Sequence, residues 1–337
     1  MGTVAGNDQL FAELSKERPN YALIRSLLNS GQADINAVQK KGDSLVTAFW
    51  FIQGGLGKQT VTDRFHPSGK QPLMWVLEHP YYKNNDFESR LAQFKAYFYP
   101  LLDILEEYGF DIMNGSRFRL QPDGTKTHRM HAGFRFLDLE PFRIMAKHDV
   151  PRIIKFFERL YFSRGYAAND PRSTEMPGFP GISYLRPLLG SAPSSYKPEL
   201  ILYMIMKGAD WRHPYYIEHN FIKNFATQVV PDQAAKMIAM LQQLLGVDYI
   251  KGPQGANLRG FLAAAYDTVN SVYILEKANN ILALKKRSHV LLMTPMNIYL
   301  PENNGAAAGA GGHIGGRKVK RRKRRTLKHR KRRACDL

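Results

Sequence analysis

The 337-residue chain is 44% hydrophobic, enough to bury a core as one elongated domain or two compact ones, which excludes disorder throughout. Its formal net charge of +19 suggests a general nucleic-acid binder, yet thirteen of its 48 Lys and Arg residues fall within 317–333 with no acid among them, and the other 35 face 29 acids. A single cysteine, Cys335, excludes an intramolecular disulfide and any cysteine-based zinc site, as expected of an intracellular protein.

Residues 1–10 have neither the basic start nor the apolar core of a secretory signal. The longest apolar stretches, 46–52 and 200–206, reach about one third of the roughly 20 residues that a membrane span requires. Met1-Gly2 raises the possibility of a myristoyl anchor backed by a polybasic segment, but Gly6 stands where that signal needs Ser or Thr, so an ordinary N-terminus is the reading kept.

One phrase recurs along the chain: an apolar helix, a glycine, and soon afterwards Asp or Asn. It occurs at Leu27–Gly31 with Asp34 and Asn36, at Leu105–Gly109 with Asp111 and Asn114, at Tyr161–Gly165 with Asn169 and Asp170, at Met204–Gly208 with Asp210, and in weaker form at Leu244–Asp248. Glycine takes the left-handed conformation that ends a helix, and the short polar side chain closes the turn that follows. The segment before each stop carries helical spacing, as in Phe87, Leu91, Phe94, Phe98, Leu101, Leu105 and Tyr108. A shorter helix is predicted ahead of each at 71–79, 139–147, 182–190 and 215–227. Helix pairs of this kind stack on their neighbours, so the predicted fold class is all-α, an irregular α-solenoid with inserted loops.

These residues resemble ankyrin repeats. Leu27–Asn36 is similar to the end of an ankyrin second helix and its turn, Gly69-Lys70-Gln71-Pro72-Leu73-Met74 to the start of a first helix, and Lys207–Asp210 again to the turn. The resemblance implies a protein-binding scaffold over roughly 9–280. The stop glycines, however, are 78, 56, 43 and 38 residues apart, against an ankyrin period of about 33. Inserts are expected at 53–70, 80–88, 115–137 and 168–181, as surface loops, or a degenerate extra repeat around 43–52. Within 115–137 a hairpin is expected, with arms at 117–120 and 131–136 around the Pro122-Asp123-Gly124 turn.

After residue 280 the pattern fades. A cap is expected around 285–293, the repeat domain is placed at 1–302, and 303–316 reads as a Gly/Ala-rich flexible linker. Residues 317–337 form a polybasic segment with nothing apolar to bury, expected to be disordered. The expected nucleic-acid contacts are Arg317, Lys318, Lys320, Arg321, Arg322, Lys323, Arg324, Arg325, Lys328, Arg330, Lys331, Arg332 and Arg333. Arg pairs with phosphate in bidentate fashion, Lys adds mobile charge, and each neutralised phosphate releases counterions. No aromatic is interleaved there, so sequence specificity should be poor. A nuclear-targeting signal, an anionic membrane or an acidic protein are the other readings of the same charges.

Candidate chemistry elsewhere is thin. Gly54–Thr60 looks like a phosphate-binding loop but has Ile52 where the first glycine is needed and Gln59 where Ser or Thr is needed. His128 and His131 lack a partner for a metal site and read as loop polarity. Glu106 and Glu107 read as solvated surface. Trp211, Arg212, Tyr215 and Tyr216 lie on a turn that an ankyrin-like repeat would project, so they are candidates for binding a protein, with packing of the aromatics onto the next helix pair as the alternative.

No enzyme activity and no cofactor or metal is expected. The partners are an unidentified protein through the repeats and a nucleic acid or other polyanion through the basic segment, with a monomer located in a nucleus or a virion. A basic segment on degenerate ankyrin-like repeats is also similar in composition to proteins of large DNA viruses, which gives the alternative of a viral structural or genome-packaging protein.

Overall fold

The computed structural model describes residues 2–62, 67–79, 86–170, 185, 197–218, 220–246, 250–252 and 255–287, and these are predominantly helical. In chain order the helices are α1 (Val4–Leu14), α2 (Tyr21–Asn29), α3 (Ala48–Gly57), α4 (Leu73–Glu78), α5 (Phe87–Glu107), α6 (Glu140–His148), α7 (Val150–Leu160), α8 (Pro198–Met206), α9 (Pro214–Glu218), α10 (Phe221–Gln228), α11 (Pro231–Leu245) and α12 (Gly255–Arg287). Helix α12 breaks at Asp267, whose φ is 72°; the Asp267 carboxylate accepts from Asn270 N–H at 2.9 Å and so caps the helix that resumes after it. Among the described residues, no helix is long and apolar enough to cross a membrane.

The predicted helix stops fall where glycine is needed. Gly31, Gly109, Gly165, Gly208 and Gly246 have φ values of 70°, 68°, 79°, 93° and 66°. Ala33 N–H then reaches back to Leu27 O, Phe110 N–H to Leu105 O and Ala209 N–H to Met204 O at 2.8–3.0 Å, satisfying carbonyls that the helix end leaves open. The Asp two or three residues beyond closes the same turn three times: Asp34, Asp111 and Asp210 each accept from the backbone N–H two residues on, at 2.9, 3.0 and 2.9 Å.

Neighbouring turns are joined by asparagine. Asn36 donates to Gly109 O at 3.1 Å and accepts from Asp111 N–H, while Asn169 donates to Gly208 O at 3.1 Å and accepts from Asp210 N–H at 2.9 Å. Asn7 accepts the corresponding N–H of Asp34 at 2.9 Å. The turn at Gly31 therefore lies directly beside the turn at Gly109, and the chain between α2 and α5 makes an excursion in which no further turn of this type occurs among the described residues. That loop holds α3, α4 and a small antiparallel hairpin, β3 (Thr60–Thr62) with β4 (Lys70–Pro72). Packing follows the same succession. Helices α2, α5, α7, α8 and α11 each touch the next, while α1 packs on α3, α3 on α4, and α4 on α6.

The core is continuous through these helices and is rich in phenylalanine. Phe49, Phe98, Phe136, Phe142 and Phe156 are fully buried and meet at ring separations of 4.6–6.5 Å. Each such side chain contributes on the order of 2–3 kcal/mol through burial. Phe134 and Phe136 come from the 3-10 turn Gly133–Asp138, so the far end of the 115–137 insert is core and not surface loop. Gly54–Lys58, the segment that mimics a phosphate loop, ends α3. A Cβ on Gly55 would stand 2.2 Å from Tyr97 Oη and 2.9 Å from Lys16 O, so glycine is required there for close helix approach.

Four strands make the second sheet, in the order β1 (Gln39–Lys41), β2 (Ser44–Val46), β5 (Arg117–Leu120) and β6 (Lys126–Met130), all antiparallel. The predicted hairpin around Pro122-Asp123-Gly124 is present, but its second arm is 126–130. Residues 131–136 leave the sheet because His131 has φ 58° and the chain then coils into the 3-10 turn. Leu45 pairs with Phe118 and Val46 with Arg117, which joins the hairpin before α3 to the hairpin before α6.

Candidate functional site

All thirteen basic residues expected to meet nucleic acid, from Arg317 to Arg333, lie outside the described residues, as do 303–316 and, but for Leu185, the helix expected at 182–190. The four residues of the turn after Gly208 are described. Trp211, Tyr215 and Tyr216 are buried, and only Arg212 is exposed. Trp211 Nε1–H donates to Asn257 Oδ1 at 3.0 Å, and its ring meets Phe261 edge-on at 5.8 Å. Asn257 in turn donates to Ile205 O and Ala209 O at 2.9 and 3.0 Å, which ties the start of α12 to the end of α8. Tyr216 packs on Phe221 at 5.0 Å and Tyr215 meets Tyr216 edge-on. Arg212 stacks 4.1 Å above Trp211, close enough that a Cβ on Gly260 would stand 2.6 Å from its Nη2. The geometry is that of aromatics packed onto the next helices, with one guanidinium left at the surface.

Glu106 is not solvated. Its side chain is fully buried, accepts from Arg152 Nη1, and has Arg159 Nη1 3.3 Å from its other oxygen, while Arg152 also reaches Asp103 at 2.9 Å. Glu107, one position on, is exposed and pairs with Arg25 at 3.1 Å. Adjacent helical positions diverge, and the arginine of α7 draws Glu106 inward, against the expectation of a solvated surface for both. Close by, Tyr99 Oη donates to Asp149 at 2.9 Å, and burial first, then the Asp149 carboxylate, push its phenol well above its ordinary range.

His128 and His131 both have left-handed backbone conformations, with φ values of 48° and 58°. His131 Nδ1 is 3.1 Å from Ser116 Oγ. Burial, followed by the charges of Arg135 and Arg117, holds its imidazole below the ordinary histidine range. Among the described residues, no three His, Cys, Asp or Glu side chains stand together as a metal site.

Sequence reasoning passed over the four-stranded sheet as a charged surface. The segments 39–46 and 117–135 carry Lys40, Lys41, Arg117, Arg119, Lys126, Arg129 and Arg135 against only Asp43 and Asp123. Counting charge by segment would have found this excess. Comparison with protein-family models, with curated proteins and with solved structures gives no match.

Proposed function

We propose that this chain is a non-enzymatic scaffold of stacked, ankyrin-like helix pairs, an irregular α-solenoid, that binds a protein partner and uses its basic segment to engage nucleic acid. The stacking is supported by the thrice-repeated aspartate turn and by the asparagine that joins each of two neighbouring turn pairs. It is also supported by the order in which α2, α5, α7, α8 and α11 touch. Arrays of this kind bury one face of each unit against the next and leave turns and hairpins available to a partner.

The observation that carries the nucleic-acid part is the concentration of thirteen cations in the seventeen residues 317–333, without an acid or an aromatic. Such a segment gains from phosphate by counterion release and does not read bases. Arg212, the exposed one of the four candidate turn residues, is the strongest of them for contact with a protein.

The test is affinity for duplex DNA as a function of salt, for the full chain and for a chain ended at Gly316. Engagement of about six to ten cations gives a log–log slope of roughly −5 to −9. The shortened chain should lose most of that slope. Equal slopes would remove the basic segment from the reading.

A further inference from the structure

Elsewhere in the described molecule, several cations stand beside carboxylates. Lys16 pairs with Glu13, Arg25 with Glu107, Arg143 with Glu78, Arg152 with Asp103 and Glu106, Lys207 with Glu158, and Lys277 with Asp232. The four-stranded sheet gathers cations that do not. Among the described residues, Lys40, Lys41, Arg117, Arg119, Lys126 and Arg129 have no carboxylate at ion-pair distance. The two acids of these segments stand in the hairpin turns, and Asp123 is occupied by Thr125 N–H at 2.8 Å.

Register assigns the charges to faces. Residues directly opposite one another share a side of the sheet, and successive residues alternate. Lys41 lies opposite Ser44, Val46 opposite Arg117, and Arg119 opposite Thr127, so Lys41, Arg117 and Arg119 share one face. Trp50, half-exposed at the start of α3, borders that face with the Arg117 guanidinium 5.7 Å from its ring. The interior end of the face is closed by Val46, and its outer end, Lys41 and Arg119, is exposed. Cations without a carboxylate on β1 and β5, to either side of β2, beside a solvent-facing indole provide the two elements that hold unpaired nucleotides: charge for the backbone and a flat ring for a base.

We propose that this face is a second nucleic-acid contact, selective for single strands, with phosphates on Lys41 and Arg119 and a base on Trp50 beside Arg117. It acts independently of the basic segment, which offers charge alone. A duplex meets the same cations but keeps its bases stacked within itself, so it gains nothing from the indole.

The test measures binding of an oligothymidylate of about 16 nucleotides, and of a duplex of equal length, to four full-length chains across a salt series. The chains are wild type, K41Q/R119Q, a chain with the thirteen cations of 317–333 changed to Gln, and the combination of both. The proposal expects K41Q/R119Q to flatten the single-strand slope by about 1.4, from roughly 0.7 per phosphate contact, whichever terminal segment is present. Trp50→Ala should weaken oligothymidylate binding roughly five- to a hundredfold and leave duplex binding unchanged, with Trp50→Phe restoring much of the loss.

Loss of all binding in the chain with a neutral terminal segment and an intact sheet would overturn the proposal and leave the terminal reading standing. An unchanged slope in K41Q/R119Q would overturn it too, as would equal loss on duplex and single strand in Trp50→Ala. Unchanged binding after neutralising the terminal segment would instead remove that segment and support the sheet.

Discussion

Arg152 and Arg119 show two uses of one side chain. Arg152, on α7, is buried between Glu106 and Asp103 and helps to fix α7 against α5. Arg119, on β5, is exposed and has no carboxylate near it among the described residues. At Arg152 charge is consumed internally, whereas at Arg119 it is left over for something outside. Net charge therefore reports little about this molecule until each cation is paired with its neighbours.

That contrast can be broken most sharply at Arg152. Arg152→Ala leaves the buried Glu106 carboxylate with only the more exposed Arg159 and should cost about 3–5 kcal/mol, read from the midpoint of urea unfolding. Arg119→Gln should stay within about 0.5 kcal/mol of wild type by the same measurement. Similar losses for the two would erase the distinction.

A comparable effect is expected inside the 115–137 insert. Phe136, fully buried, should cost about 3–5 kcal/mol when changed to Ala, and Leu120, half exposed at the rim of the sheet, under about 1 kcal/mol. Calorimetric melting of the two variants would locate the border between core and surface.

A smaller difference separates two neighbouring glycines of α3. Gly55→Ala meets Tyr97 Oη and the Lys16 carbonyl and should cost about 1–3 kcal/mol, whereas Gly54→Ala, with nothing within 4 Å, should be neutral or stabilise by up to about 1 kcal/mol. Thermal denaturation of the pair tests whether close helix approach requires the glycine.

The least effect is expected at the seam between turns. Asn36→Ala removes hydrogen bonds to Gly109 O and from Asp111 N–H at an exposed site and should cost about 0.5–1.5 kcal/mol. Faster amide exchange at Asp111 would accompany it.

What the sequence made legible was governed by backbone chemistry. Positive φ requires glycine and an Asx turn requires Asp or Asn, so the stops at Gly31, Gly109, Gly165, Gly208 and Gly246 could be placed without knowledge of the neighbours. Helices α4, α5 and α6 followed from apolar spacing. What stayed hidden depended on partners far along the chain. Glu106 looked exposed until α7 brought Arg152 to it, and the packing expected of Trp211 could be given its partners, Asn257 and Phe261 some fifty residues on, only from the fold. The hairpin's second arm was misplaced because left-handed His128 and His131 break the alternation on which strand spacing relies. The excess charge of the sheet was visible as composition, but its assembly on one face required the β2–β5 pairing across some seventy residues.

The asparagine joint recognises only main chain: a carbonyl at Gly109 or Gly208, and an amide at Asp111 or Asp210. A coupling that reads no side chain does not depend on what has been spliced between its two halves. The same joint accordingly closes over 73 residues in one place and 39 in the other, from Asn36 to Gly109 and from Asn169 to Gly208.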